Sequence, residues 1–200
     1  MQLKREINLS PEQVKAILGQ AKVASLRDHL LLKTMTVGDF RVGEVVGSAP
    51  RRWIKETKKW ERCEPNLPGL QIQDLHDDGV WVKDKGSTQK YQPLPKILVD
   101  ELRAFTGKRK QGRIFEVSES RVEQMTRFYA KRAGIIDWKL VHPHRFRHFT
   151  TTQIARKHGV LAARDIARHA NISTTNRYIA ELPEEEKRKI IQAQEDLISV

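Results

Sequence analysis

The sequence predicts a mainly α-helical chain with one small three-stranded antiparallel sheet, an α+β arrangement. Two patterns carry that expectation. Helix starts recur along the chain: Ser10-Pro11-Glu12-Gln13, Ser25, Ser118 and Pro143 each stand at the head of a helix-like run. A serine hydroxyl there satisfies a free backbone amide, and proline fits a first position whose N–H has no partner anyway. Between these runs, Leu70 to Leu75, Val80 to Lys83 and Tyr91 to Leu94 are short and apolar or alternating, separated by Asp77-Asp78-Gly79 and Lys85-Gly86-Ser87. That is the pattern of strands joined by turns.

The helices follow in order. Pro11 to about Gly19 is the first, opened by a capping box, and Ser25 to Met35 the second, with Leu30-Leu31-Leu32 in the core. Pro95 to Thr106 ends at Gly107, and Ser118 to Ala133 ends at Gly134 with Val122, Met125 and Tyr129 turned inward. Pro143 opens a helix that Gly159 closes, Val160 to Arg168 makes another, and Ser173 caps a third short one. Pro183 opens the last, with Glu184-Glu185-Glu186 at its positive end and Ile190, Ile191, Leu197 and Ile198 as one apolar stripe.

The 200 residues, 38% hydrophobic and 31% charged, suffice for a core without covalent staples. A formal net charge of +12 and a pI near 10.0 point to a polyanionic partner, with a solvated lysine-rich surface as the plain alternative. The single cysteine, Cys63, excludes an intramolecular disulfide and suits a reducing compartment. Residues 1–10 lack the apolar core of a signal peptide, and Leu30 to Leu32 is too short to span a bilayer. A cytoplasmic, DNA-associated location without membrane contact is expected.

Two basic stretches stand out. Between Ser48 and Pro68, Arg51, Arg52, Lys55, Lys58, Lys59 and Arg62 face two acids, Glu56 and Glu61, and are interleaved with Trp53 and Trp60. Such a stretch tracks a DNA backbone or stacks on an unpaired base; equally, it is an insertion whose tryptophans pack on their own domain. Lys108, Arg109, Lys110 and Arg113 form the second, a basic loop.

Most of the chemistry lies between His144 and Tyr178. His144 and Arg147, three residues apart after Pro143, share a face of the first helical turn, where unpaired amides favour an anion. His169 and Tyr178 follow nine residues apart. These residues resemble the carboxy-terminal motifs of the tyrosine recombinases, the phage integrase and Xer-like DNA strand-exchange enzymes. That family has His-x-x-Arg near a helix start, a second His, and a nucleophilic Tyr nine residues on. Arg168 stands where glycine is commoner and Phe146 where leucine is, and neither change removes a chemical group. Upstream, Gly38-Asp39-Phe40-Arg41-Val42-Gly43-Glu44-Val45 resembles the family's first arginine box. Taken alone, Arg41 and Glu44 read as a surface ion pair worth under about 1 kcal/mol; with the other motifs present in order, the resemblance makes Arg41 catalytic and Glu44 its support. Asp84-Lys85-Gly86 matches the lysine turn between the second and third strands, with Lys83 and Lys90 as the alternatives.

The resemblance covers about residues 8–182 apart from the insertion at 48–68, and implies the tyrosine recombinase catalytic-domain fold over 1–182. It implies a last helix, 183–200, docked on a neighbouring protomer or on its own domain, and no match to the usual N-terminal core-binding domain. It also implies double-stranded DNA as partner, a homo-oligomer of two to four protomers, and no metal or other cofactor. The expected activity is cleavage and rejoining of DNA through a 3′-phosphotyrosyl intermediate, with the basic insertion inclining towards integration and excision of a mobile element. Arg41 and Arg147 would grip the phosphate, Lys85 protonate the leaving 5′ oxygen, His144 take or relay the phenol's proton, and His169 steady the phosphate or Tyr178. Three other readings remain: a swivelling topoisomerase of the same chemistry, a non-catalytic DNA-binding accessory factor, and a hydrolase with a metal on His142, His144 and His148. The last lacks the glutamate base expected between its ligands and has Arg147 there instead.

Overall fold

The computed structural model describes residues 7–49, 51–63, 66–83 and 89–168. The chain divides into two compact units, Met1–Phe149 and Thr150–Val200.

In the first unit, Ser10 Oγ accepts from Gln13 N at 3.2 Å and Gln13 Oε1 from Ser10 N at 2.9 Å. This reciprocal cap opens α1 (Pro11–Ala24), which continues past Gly19 because Ile17 and Ala21 extend its buried stripe. The glycine costs only about 1 kcal/mol in a helix interior, less than burial of such a stripe returns. Ser25 then ends one helix and caps the next, its N–H donating to Ala21 O and its hydroxyl accepting from Asp28 N. In α2 (Leu26–Val37) the adjacent Leu30, Leu31 and Leu32 are all buried, as expected of a helix covered on several sides. It packs against α1, α3 (Val42–Val46) and α4 (Lys96–Thr106), while α1 and α3 also meet α5 (Glu119–Arg132). Val122, Met125 and Tyr129 of α5 are buried, and the Tyr129 hydroxyl donates to Asp28 Oδ2 at 2.8 Å.

The expected three-stranded sheet is replaced by two separate antiparallel pairs. β1 (Arg51–Ile54) pairs with β2 (Lys59–Arg62), so the basic stretch is itself a hairpin; β3 (Gly79–Lys83) pairs with β4 (Gln89–Pro93). The predicted first strand, Leu70 to Leu75, contains a 3₁₀ turn at Ile72–Asp74 instead. Its backbone partners explain why. Ile114 N donates to Leu70 O and Ile72 N to Gly112 O, so this segment is engaged by the loop after α4. Only the Leu75↔Val80 bridge joins it to β3, across a tight turn closed by His76 N to Gly79 O at 2.8 Å.

α6 (His144–Ile166) begins in the first unit and is interrupted at Gly159, whose φ of 84° and ψ of 169° are non-helical. Of the second unit, 150–168 are described; Ala155, Ala163 and Ala167 are its buried apolar positions. The expected helices after Ser173 and Pro183 lie outside the described residues, and no helix among the described residues is long and apolar enough to cross a membrane.

The end of α3 is fixed by a close crossing of two glycines. Gly69 has φ +82°, and a Cβ there would lie 2.7 Å from Gly47 N and 2.9 Å from Val46 C. Gly69→Ala should therefore cost about 3 kcal/mol or more, since a left-handed non-glycine residue alone costs about 1 to 3. At Gly134, with φ +74° and open space around it, alanine should cost nearer 1 kcal/mol. Urea denaturation of the two variants tests the difference; equal losses would remove the steric account.

Candidate active site

The turn between α2 and α3 builds one half of the site. Asp39 is buried in the left-handed conformation, φ 51°, and Phe40 behind it is fully buried, with its N–H bonded to Met35 O at 3.1 Å. This anchoring delivers Arg41 to the N-cap position of α3 in extended conformation. Glu44 Oε2 accepts from Arg41 N, and Glu44 Oε1 accepts from Arg41 Nη1, both at 2.8 Å. The guanidinium is about one-third exposed while the carboxylate is 1% exposed, so the acid is the fixed member and the arginine the one that reaches outward.

The other half comes from the first turn of α6. Arg147 is 1% exposed, donates through Nη1 to Asp39 O, and lies 3.9 Å from Glu44 Oε2. The Glu44 carboxylate therefore stands between two arginines from distant parts of the sequence, one oxygen towards each. His144, one turn earlier, stacks nearly parallel to His142, with centroids 6.4 Å apart and planes 5° from parallel. The residue reaches solvent, but protein crowds its ring. That desolvation first, and then the positive charge of Arg147 with smaller contributions from His142, His148 and Arg145, pushes its pKa down to about 4. The imidazole is therefore neutral at physiological pH and able to accept a proton.

Two of the chain's three tyrosines are committed elsewhere. The Tyr91 hydroxyl donates to Asp78, a bond that pushes its pKa up to about 12; burial and then the bond to Asp28 push Tyr129 up to about 12 as well. Neither is suited to act as a phenolate. The third, Tyr178, lies outside the described residues, as do Lys85 and His169. Among the described residues, no group of three or more His, Cys, Asp or Glu side chains is placed to hold a metal ion.

The basic residues divide. Lys55, Lys58 and Lys59 surround the exposed tip of the β1–β2 hairpin, and Lys108 and Lys110 are exposed in the loop after α4. Arg51, Arg52 and Arg62 belong to the paired backbone of the hairpin. Arg109 instead folds back on its own loop, donating to Thr106 O, Arg113 O and Ile114 O, and pairs with Glu116 at 3.6 Å. Arg113 donates to Val46 O at 3.4 Å. These two arginines hold the loop and its contact with α3. Asp39 contributes to the Arg147 environment through its main-chain carbonyl, a role that its side chain does not signal. The only trace of it is Gly38-Asp39 after a helix, since Asp and Gly tolerate the left-handed region.

Residues 65–185, more than half of the chain, match the model of the phage integrase family, and the chain belongs to that family. Among curated proteins it is 25% identical over 182 residues to a tyrosine recombinase of Pseudothermotoga lettingae, covering 86% of this chain and 55% of that protein. It is 29% identical over 202 residues to the tyrosine recombinase XerA of Thermococcus kodakarensis, covering 92% and 63%. The chain thus spans between half and two thirds of the length of these relatives. The crystal structure of a XerA recombinase superposes with a TM-score of 0.69 at 20% identity, over 97% of this chain and 65% of that one. A lambda integrase tetramer bound to a Holliday junction gives 0.63 at 14% identity, over 89% and 49%. The shared fold is the mainly helical one with small antiparallel sheets.

Two measurements probe this site. Glu44→Gln keeps the shape and removes the charge between the arginines; a loss of about 3 kcal/mol in urea denaturation is expected for a broken buried pair. A loss under about 1 kcal/mol would mean that other groups hold them. For His144, the unfolded chain takes up the proton near pH 6.5 but the folded chain only near 4. Acid therefore favours unfolding, and this residue's contribution to stability is lost as pH falls between those values. The pH profile of His144→Gln should be flatter than that of the parent over that window; identical profiles would contradict the shifted titration.

Proposed function

We propose that this chain is the catalytic part of a site-specific DNA recombinase that cuts and rejoins double-stranded DNA without a metal. The observation that carries this reading is the Glu44 carboxylate standing between Arg41 and Arg147, two cations gathered beside a neutral His144. A phosphodiester in transfer bears its charge on the non-bridging oxygens, and planar guanidinium forks, always charged, suit that load. Removing one such donor typically costs about 100-fold to 1,000-fold in rate.

In the proposed step the Tyr178 oxygen attacks the scissile phosphorus as its phenolic proton passes to His144, and the bond to the 5′ oxygen breaks. Lys85 gives that oxygen its proton, and His169 holds a phosphate oxygen or steadies the tyrosine. A 3′-phosphotyrosyl bond and a free 5′-hydroxyl result. Attack by another 5′-hydroxyl reverses the step on a second strand, so exchange needs no external energy. Support for Tyr178 comes from its pattern with His144, Arg147 and His169 and from the engagement of Tyr91 and Tyr129 with carboxylates. The DNA-bound lambda integrase tetramer of similar fold supports assembly as dimers to tetramers on paired sites. The basic hairpin supports integration and excision of a mobile element as the setting, with Lys55, Lys58, Lys59, Lys108 and Lys110 on the DNA backbone.

Covalent trapping tests the proposal. The protein is incubated with supercoiled and nicked DNA in EDTA and then denatured. A protein–DNA adduct is expected from the parent and none from Tyr178→Phe. Tight binding with no adduct on any DNA would indicate a non-catalytic binder, and EDTA-sensitive cleavage without an adduct would indicate a metal hydrolase.

A further inference from the structure

The β1–β2 hairpin presents chemistry that strand transfer does not use. Its register sets Trp53 directly opposite Trp60, with ring centroids 5.6 Å apart and planes at 60°. The indoles meet each other rather than the core and remain 45% and 63% exposed. A cross-strand aromatic pair helps to hold a two-stranded ribbon that would otherwise be marginal. Stapling the ribbon does not account for indole surface left open to water on a ribbon whose tip carries exposed lysines. Lys55, Lys58 and Lys59 are exposed around the tip, and among the described residues none of them is in an ion pair. Lys58 takes the left-handed conformation, φ 50°, in the turn that carries them. The hairpin leaves the chain just after α3, its base closed by Ser48 N to Leu67 O at 3.0 Å and Asn66 N to Ser48 O at 2.9 Å. It is thereby tethered to the element that carries Arg41 and Glu44.

We infer that this hairpin is a separate DNA-binding site that takes an unstacked base, at a nick, bulge or junction, on the Trp53–Trp60 pair while the neighbouring lysines hold the adjoining phosphates. The inference rests on the reading of the chain as a DNA-acting enzyme and adds a preference for discontinuous DNA. Charge complementarity decides the occupant. An open aromatic pair on a ribbon tipped with exposed lysines suits a base flanked by phosphates, whereas a protein partner would require a broader apolar area. Bases inside a continuous duplex offer no free face, so the tryptophans select interrupted DNA and the lysines bind both forms.

The test compares binding of a matched duplex with that of the same duplex carrying a one-base bulge, by fluorescence anisotropy of labelled DNA at fixed salt. The parent should favour the bulged form by about tenfold to a hundredfold, the range set by one base stacking on an aromatic ring. Trp53→Ala with Trp60→Ala should abolish that preference, while the corresponding double Phe variant keeps most of it. Lys55→Gln, Lys58→Gln and Lys59→Gln together should weaken both DNAs alike and reduce the salt slope by roughly 0.9 per lost phosphate contact. A readout independent of ribbon stability uses the background Trp81→Phe with Trp138→Phe, in which the hairpin holds the only indoles: bulged DNA should quench their fluorescence and matched duplex should not. No preference in the parent, a preference that survives the double Ala change, or equal quenching by both DNAs would each overturn the inference. So would self-association abolished by the Ala changes with DNA binding intact, which would make the hairpin a protein contact. An adduct on Tyr178 without bulge preference would overturn this inference alone; absence of the adduct would overturn the strand-transfer reading instead.

Discussion

A single buried carboxylate organises the first unit's chemistry. Glu44 is almost wholly removed from solvent and meets a main-chain N–H and two guanidinium groups. A lone carboxylate in that position would be costly, and two arginines facing one another without it would be more so. The folded chain therefore has to bring the α2–α3 turn and the first turn of α6 together in register. Phe40 and Phe146, both fully buried next to the arginine-bearing positions, supply the apolar contacts that hold that register.

The arrangement leaves the arginines with different tasks. Arg147 is buried and bonded to the Asp39 carbonyl, so its planar group is oriented before any ligand arrives. Arg41 has one edge on Glu44 and remains partly open. One is a rigid wall and the other an adjustable arm, an arrangement that would suit the proposed phosphate ligand. His144 has low proton affinity chiefly because its ring is desolvated and secondly because Arg147 is its neighbour, so the same cation that would bind phosphate also helps to keep the base unprotonated.

Much of this was legible in the sequence, for identifiable reasons. Ser10, Ser25 and Ser118 cap their helices because capping depends on residues a few positions apart, and Gly107 and Gly159 break the helical conformation at their positions for equally local reasons. The pairing of Arg41 with Glu44 was readable from a three-residue step, although that step could not tell a surface pair from a buried one. The sheet was misread where the outcome depended on a distant competitor: Leu70-Gln71-Ile72 has a strand's alternation, but its hydrogen-bonding groups are engaged by residues 112–114. The hairpin at 51–62 escaped because its strands are rich in charge and lack an apolar face. Arg109 is a basic loop residue in the sequence, and the structure adds three bonds from it to main-chain carbonyls of that loop. Charge is visible in a sequence; the direction in which a guanidinium turns is not.

The bonded pair Ser48 and Leu67 has a consequence for how such a domain diversifies. Because these two residues are hydrogen-bonded neighbours, the chain leaves the fold and returns to it at one point, just beyond the glycine crossing that fixes α3. Whatever lies between them can lengthen, shorten or be exchanged without drawing on the arginine-bearing turn. The enclosed segment is a modular appendage on a fixed socket.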